Sequence, residues 1–254
     1  EIGVRLVGSE MCIRDRHSSN VYMFKTALRL AGDPYSSGMS LPNNIEEAGQ
    51  KLRKGLNQVG LGVKTGIDLP NETIGQIEPL TNNPGNYLDL SIGQYDTYTP
   101  IQLSQYISTI ANNGYRVQPH IGLAIHDATN SDQVGPVKDK IKGNILNKVN
   151  NSQDEIDEVK QGFKMAFNEK DGTGYASFHK TVVPSAGKTG TAEVYQNGQS
   201  RVNSTYIGYA PIKDPKLAFS IVYTNQPVPP PWLNGGDLGS CLLYTSPSPR
   251  DGLL

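Results

Sequence analysis

Lys188, Thr189, Gly190 and Thr191 stand in a row whose side chains suit one task, the gripping of an anion. A lysine and two threonine hydroxyls along an open strand edge hold a carboxylate, and a backbone N–H beside them stabilises an oxyanion. Gly187 and Gly190 lie on either side of the lysine, and residues without a Cβ let a ligand lie close against the backbone. The tripeptide alone is weak, because Lys64-Thr65-Gly66 repeats it ahead of Ile67-Asp68-Leu69-Pro70. The second copy is preferred for its strand and hairpin setting; the first reads as a loop. Ser18-Ser19-Asn20 is the other group of interest, although Ser18 and Asn20 taken singly read as helix-capping residues.

The elements that must position these groups follow from periodicity. Ser18-Ser19-Asn20 opens a helix with Val21, Phe24 and Leu28 on one side, closed by Gly32 and Pro34. A second helix is predicted over Ile45 to Leu56, with Asn44 and Glu47 as a capping box. Gly60, Gly62 and Gly66 break the chain, and Gly62 to Pro100 reads as one long loop-dominated connection. Thr99-Pro100-Ile101-Gln102 starts a helix that ends near Asn113-Gly114. Residues 127–151 read as an exposed, irregular excursion. Ser152 and Glu155 form a capping box ahead of Ile156, Val159, Phe163 and Phe167.

The period then changes to that of strands: Val182-Val183, Lys188 to Tyr195, Thr205 to Tyr209 and Leu217 to Tyr223, the last three antiparallel. They are divided by Asn197-Gly198, a type I′ hairpin signal, and by Asp214-Pro215.

The chain has 254 residues, enough for one enzyme domain, and 23 basic against 24 acidic residues leave a net charge of -1. Nothing there draws it to nucleic acid or anionic lipid. No apolar run approaches the roughly 20 residues that cross a bilayer, so any anchor is expected outside the chain. Tyr95, Tyr98 and Tyr106 read as packing residues. His17, His120, His126 and His179 show no metal or charge-relay spacing, so neither a metal nor a cofactor is expected.

The two ends are related in a way folding does not explain. A single DNA string encodes Cys241 to Asp251 as CLLYTSPSPRD, and its reverse complement in another frame encodes Leu6 to Asp15 as LVGSEMCIRD. That string resembles a transposon-type sequencing adapter. Residues 1–16 and 240–254 are therefore expected to be adapter translation, with residues 17–239 as the genuine domain. Cys12 and Cys241 both fall in the adapter stretches. A cysteine-free remainder suits an oxidising, extracytoplasmic setting.

Ser18-x-Asn20 followed by Lys188-Thr189-Gly190 resembles the second and third motifs of penicillin-binding proteins and serine β-lactamases. The long stretch between them is similar to the class B penicillin-binding proteins, type 2B-like in Gram-positive bacteria. Thr65 to Pro70, Gly93-Gln94, Thr99-Pro100-x-Gln102-Leu103, Ile110-Ala111-Asn112-x-Gly114 and Gly187 to Ala192 match as well. The resemblance implies an α+β transpeptidase fold, partial here. It also implies a serine acyltransferase that cuts the D-Ala-D-Ala end of peptidoglycan stem peptides and is trapped by β-lactam antibiotics. Carried over by residue, Ser18 relays a proton and Asn20 holds the substrate amide. Lys188 keeps the site positive, with Thr189, Gly190 and Thr191 at the substrate carboxylate and the Thr191 N–H in the oxyanion hole. Cell-wall synthesis partners and an N-terminal transmembrane anchor on the extracytoplasmic face are implied for the parent protein.

The nucleophilic Ser-x-x-Lys of that family is expected upstream of Ser18, where the genuine sequence begins at about His17. No such tetrad occurs in a plausible place, so the fragment is expected to be inactive, with a three-stranded sheet, one uncovered face and marginal folding. A non-catalytic β-lactam-sensing or wall-binding module and a serine β-lactamase are the competing readings.

Overall fold

The computed structural model describes residues 9–228, apart from 43, 81, 82 and 131. The expected hairpin strands are present and longer than predicted: β5 (Ala186–Gln196), β6 (Gln199–Ala210) and β7 (Leu217–Pro227) form an antiparallel sheet in the order β5-β6-β7. Asn197 and Gly198 adopt φ of 51° and 76°, as a type I′ turn requires, and Gln196 pairs with Gln199 across it. Val182-Val183 forms no strand.

One face of the sheet is covered by two helices whose caps are legible in sequence. Thr99 and Gln102 form a complete capping box at the start of α5 (Pro100–Ala111), and Ser152 and Glu155 do the same for α6 (Gln153–Asn168). Ile107, Ile110, Ala111 and Phe163 pack there on Ala186, Ile207 and Tyr209. Burying each large apolar side chain contributes roughly 2 kcal/mol. The opposite face is covered only in part. Phe167 of α6 and Phe178 of the short α7 (Tyr175–Phe178) stack at 3.9 Å over Tyr206, while Phe219 and Ile221 of β7 stay half-exposed.

A second cluster joins three helices, α2 (Asn20–Leu30), α3 (Ile45–Gln58) and α4 (Pro84–Ile92), around Ala27, Ile45, Ala48 and Tyr87. The Tyr87 hydroxyl donates to the Ala27 carbonyl at 2.8 Å. Two predictions fail here. Asn44 does not cap α3, because its side-chain amide donates instead to the Ala31 carbonyl, and Glu47 pairs with Lys51. The loop predicted over Gly62 to Pro100 contains α4, capped by Asn83 with Pro84 in the first turn, and the predictive signal was masked by the surrounding Asn, Gly and Pro.

The excursion at 127–151 is also more ordered than predicted. It contributes β3 (Val137–Lys140) and β4 (Ile145–Lys148), which pair with β2 (Ala124–His126) and β1 (Tyr115–Val117) respectively. Strands this short and mostly exposed show no alternation to read.

Ser9–His17 forms α1, which lies across α6 with Cys12 buried and Asp15 against Gly162. The stretch 240–254 lies outside the described residues.

Candidate active site

The N-cap of α2 is Ser19, whose hydroxyl accepts from the Tyr22 N–H at 3.3 Å. That leaves Ser18 and Asn20 without a capping role, and both are exposed. Ser18 sits at φ 53°, a left-handed conformation costly for a residue with a Cβ and recurrent where side chains must be aimed. The turn is held by the Ser19 N–H donating to the Arg14 carbonyl at 3.1 Å.

Lys188 and Thr189 are half-buried, between the buried start of β5 and the exposed Gly190 and Thr191. Lys188 lies opposite Ile207 and turns its Nζ onto the Thr189 carbonyl at 2.9 Å. Burial pushes its pKa down to about 8; Asp15 opposes that shift and Arg14 adds to it. The carboxylate and the guanidinium come from the last residues of α1, so that end of α1 and the lysine share one electrostatic neighbourhood. Thr189 points to the other side of the strand, where its hydroxyl donates to Thr173 Oγ1 at 2.8 Å. The Thr173 N–H in turn donates to the Arg16 carbonyl at 3.2 Å, two residues before Ser18. Ser18 and Lys188 therefore belong to segments joined through Thr173, although among the described residues neither Ser18 nor Asn20 hydrogen-bonds to Lys188. Gly190 and Thr191 are exposed on the same strand.

The flanking glycines differ in what they do. A methyl on Gly187 would meet the Ile207 carbonyl, and Gly208 Cα and the Phe167 ring at 2.7 Å, so that residue is small for packing rather than for ligand approach. A methyl on Gly190 would touch only Thr205, at 3.7 Å. The first tripeptide, Lys64-Thr65-Gly66, is a loop segment tied down by Glu72. Glu72 accepts from the Thr65 N–H, the Thr65 hydroxyl and the Gly66 N–H, while Lys64 faces solvent.

Two Ser-x-x-Lys spacings do occur, Ser177 to Lys180 and Ser185 to Lys188, both after Ser18. Ser185 is buried at the start of β5, and three residues of extended chain turn successive side chains to opposite faces, so it does not share a face with Lys188. His120, His126 and His179 each bond a nearby backbone carbonyl through Nδ1. A cavity of about 490 Å³ near Asn112, Lys160 and Lys216 shares no residue with the candidate site.

Sequence reasoning matched Gly93-Gln94 to the family without assigning a role, and it missed that this loop faces β5. Gly93, at φ 81°, ends α4, and the Gln94 N–H donates to the Asp89 carbonyl at 2.9 Å. Arg53 then holds Asp96 by two bonds of 2.8 and 2.6 Å, with Asp96 nearly inaccessible. Between these anchors Gln94 Oε1 accepts the Glu193 backbone N–H at 3.1 Å. Neither contact leaves a local pattern, since each joins residues distant in sequence.

Comparison with known proteins identifies the family and the fold. A family profile described as "Penicillin binding protein transpeptidase domain" matches residues 16–236. Penicillin-binding protein H of Bacillus subtilis is 47% identical over 213 residues, 81% of this chain and 29% of that protein. Penicillin-binding protein 2B of Streptococcus pneumoniae is 40% identical over 214 residues, 83% of this chain and 31% of its own length. The chain thus spans under a third of these relatives. The solved structure of penicillin-binding protein 2B from S. pneumoniae strain R6 superposes with a TM-score of 0.83 at 35% identity, covering 92% of this chain and 38% of that one. A Helicobacter pylori PBP2 solved as a complex with MreC gives 0.59 at 28% identity, covering 91% and 38%.

Proposed function

The chain belongs to the penicillin-binding protein transpeptidase family, and we propose that it is a fragment of a peptidoglycan D,D-transpeptidase that carries the second and third motifs but not the nucleophile. In the parent protein a serine supplied upstream attacks the carbonyl of the penultimate D-alanine. The terminal D-alanine leaves with a proton, and an amine of a neighbouring stem peptide then displaces the serine from the acyl-enzyme. Ser18 relays that proton and Asn20 holds the donor's amide. Lys188, Thr189, Gly190 and Thr191 receive its terminal carboxylate, with the Thr191 N–H facing the developing oxyanion. A β-lactam antibiotic enters by the same contacts and stays as the acyl-enzyme.

The observation that carries this reading is the bond from Thr189 on β5 to Thr173, whose N–H in turn meets the backbone carbonyl at position 16, an acceptor that any residue standing there supplies. It is supported by Lys188, half-buried on an otherwise apolar strand face. We further infer that residues 1–16 and 240–254 are adapter translation. We infer too that the parent protein works on the extracytoplasmic face of the bacterial membrane, anchored by a helix outside this chain, and with cell-wall synthesis partners; the H. pylori PBP2 is solved in a complex with MreC.

Extending the genomic reading frame upstream and exposing the complete protein to fluorescent penicillin tests the proposal. A Ser-x-x-Lys is expected roughly 50 to 60 residues before Ser18, with covalent labelling that its Ser→Ala variant abolishes. Its absence, or a protein that binds without covalent label, overturns the assignment.

A further inference from the structure

β5 is the edge strand of its sheet among the described residues, so half of its backbone groups face outward. The two-residue hairpin fixes which half. Gln196 and Gln199 flank the turn as a hydrogen-bonded pair, and bonding alternates from there along the strand. The N–H and C=O groups of Lys188, Gly190 and Ala192 therefore face β6, and those of Thr189, Thr191 and Glu193 face out. An extended peptide that adds to this edge pairs with the outward set.

That set is already partly occupied. The Thr189 carbonyl receives the Lys188 ammonium at 2.9 Å, and the Glu193 N–H is taken by Gln94 Oε1 at 3.1 Å. Between them Thr191 is exposed and offers both its N–H and its C=O. Gln94 is well placed to hold its bond, because its backbone is pinned on one side by the end of α4 and on the other by Asp96 in the grip of Arg53.

We propose that Gln94 is a specificity-determining residue that ends the peptide groove: it occupies the Glu193 N–H and so limits strand addition to the single residue pair at Thr191. The inference rests on the transpeptidase reading above. With the substrate carboxylate at Lys188 and Thr189, the amino-terminal part of the donor runs toward Glu193, and there it meets a backbone position already filled. The site then recognises the terminal dipeptide of a donor and gains little from residues further along the stem.

The test uses the complete parent protein and two acyl donors, a blocked D-Ala-D-Ala-type thioester and the same thioester extended by several residues at its amino end. The readout is the ratio of their acylation rate constants. Gln94→Ala is expected to raise the extended-to-short ratio about fivefold, the effect of one net backbone hydrogen bond. Gln94→Glu keeps an acceptor at the same reach and keeps the wild-type ratio. Adding Glu193→Pro to Gln94→Ala removes the freed N–H at an outward position, which an edge strand tolerates, and abolishes the gain. A ratio unmoved by Gln94→Ala, with both donors slowed alike, overturns the proposal and leaves Gln94 a structural contact. Failure of the wild-type protein to be acylated by either donor or by penicillin overturns the transpeptidase reading itself, and this inference with it.

Discussion

Thr189 donates its hydroxyl to Thr173 at 2.8 Å, and Thr173 passes the connection on through its own N–H to the Arg16 carbonyl. The second of these bonds uses only backbone atoms, so it is indifferent to which residue stands at position 16. One threonine in a Gly172-Thr173-Gly174 turn thereby sets the spacing between the lysine-bearing strand and the serine-bearing turn.

Replacing Thr173 by valine in the parent protein removes the hydroxyl and keeps the shape. Stability is expected to fall by about 1 kcal/mol, the ordinary worth of one hydrogen bond. The rate of covalent penicillin labelling is expected to fall several-fold, and Thr173→Ser is expected to restore it. Equal labelling rates for the valine variant and wild type would show that the strand holds its place without this bond.

How much of this was readable in advance depends on range. The capping boxes at Thr99 and Ser152, the Asn197-Gly198 turn and the strands around it are local signals, and they were read correctly. The strand that carries Lys188 to Thr191 was legible for the same reason. Thr173, Gln94 and the Arg53–Asp96 pair were not, because what matters about each is a partner many residues away. Asn44 shows the converse: its local pattern promised a cap, and a nearby backbone carbonyl outcompeted it.

The two glycines beside Lys188 are expected to respond differently to alanine. Gly187→Ala drives a methyl into the Ile207 carbonyl and the Phe167 ring, with an overpacking cost of about 1–3 kcal/mol. Gly190→Ala meets only an ordinary contact with Thr205, so the melting transition of the parent protein should stay within about 0.5 kcal/mol of wild type. Its methyl stands on the exposed edge between Lys188 and Thr191, and penicillin labelling should slow several-fold. If Gly190→Ala unfolds the protein while Gly187→Ala is silent, the packing described for β5 is wrong.

Arg53 and Asp96 are a bidentate pair with the carboxylate almost fully enclosed. Asp96→Ala leaves a guanidinium desolvated and unpaired, at an expected cost of about 3–5 kcal/mol. Replacing both residues with leucine and methionine of similar bulk should cost less than either single change, and denaturant melts of the three variants measure the difference. Additive losses would mean that the pair acts as two independent contacts.

Lys188 should titrate near pH 8 instead of at the ordinary lysine value of 10.5. Burial disfavours its charged form, so between these two values the unfolded chain holds more protons than the folded one, and stability rises with pH across that window. Below about pH 8 the penalty of the buried charge is fully present. Carboxylate binding moves the opposite way, weakening as the pH passes 8 and the ammonium is lost. The ε-methylene resonances of Lys188, followed by NMR through a pH series of this chain, give the midpoint directly; a midpoint near 10 would refute the burial argument.

The sheet of this chain has its second face only half covered, and that has a consequence for solution behaviour. Leu217 is 60% exposed, and Phe219 and Ile221 of the edge strand β7 are only partly buried beneath Phe178. Leu123 and Val134, beside the small paired strands, and Ile145 on β4 add exposed apolar surface. Edge strands with apolar faces invite pairing with other chains, and apolar patches bind hydrophobic dyes. Residues 17–239 expressed alone should therefore melt broadly, bind such a dye before melting, and associate as concentration rises. A sharp, concentration-independent transition without dye binding would show instead that the clusters around Ile107, Tyr87 and Phe167 are sufficient to hold the fold.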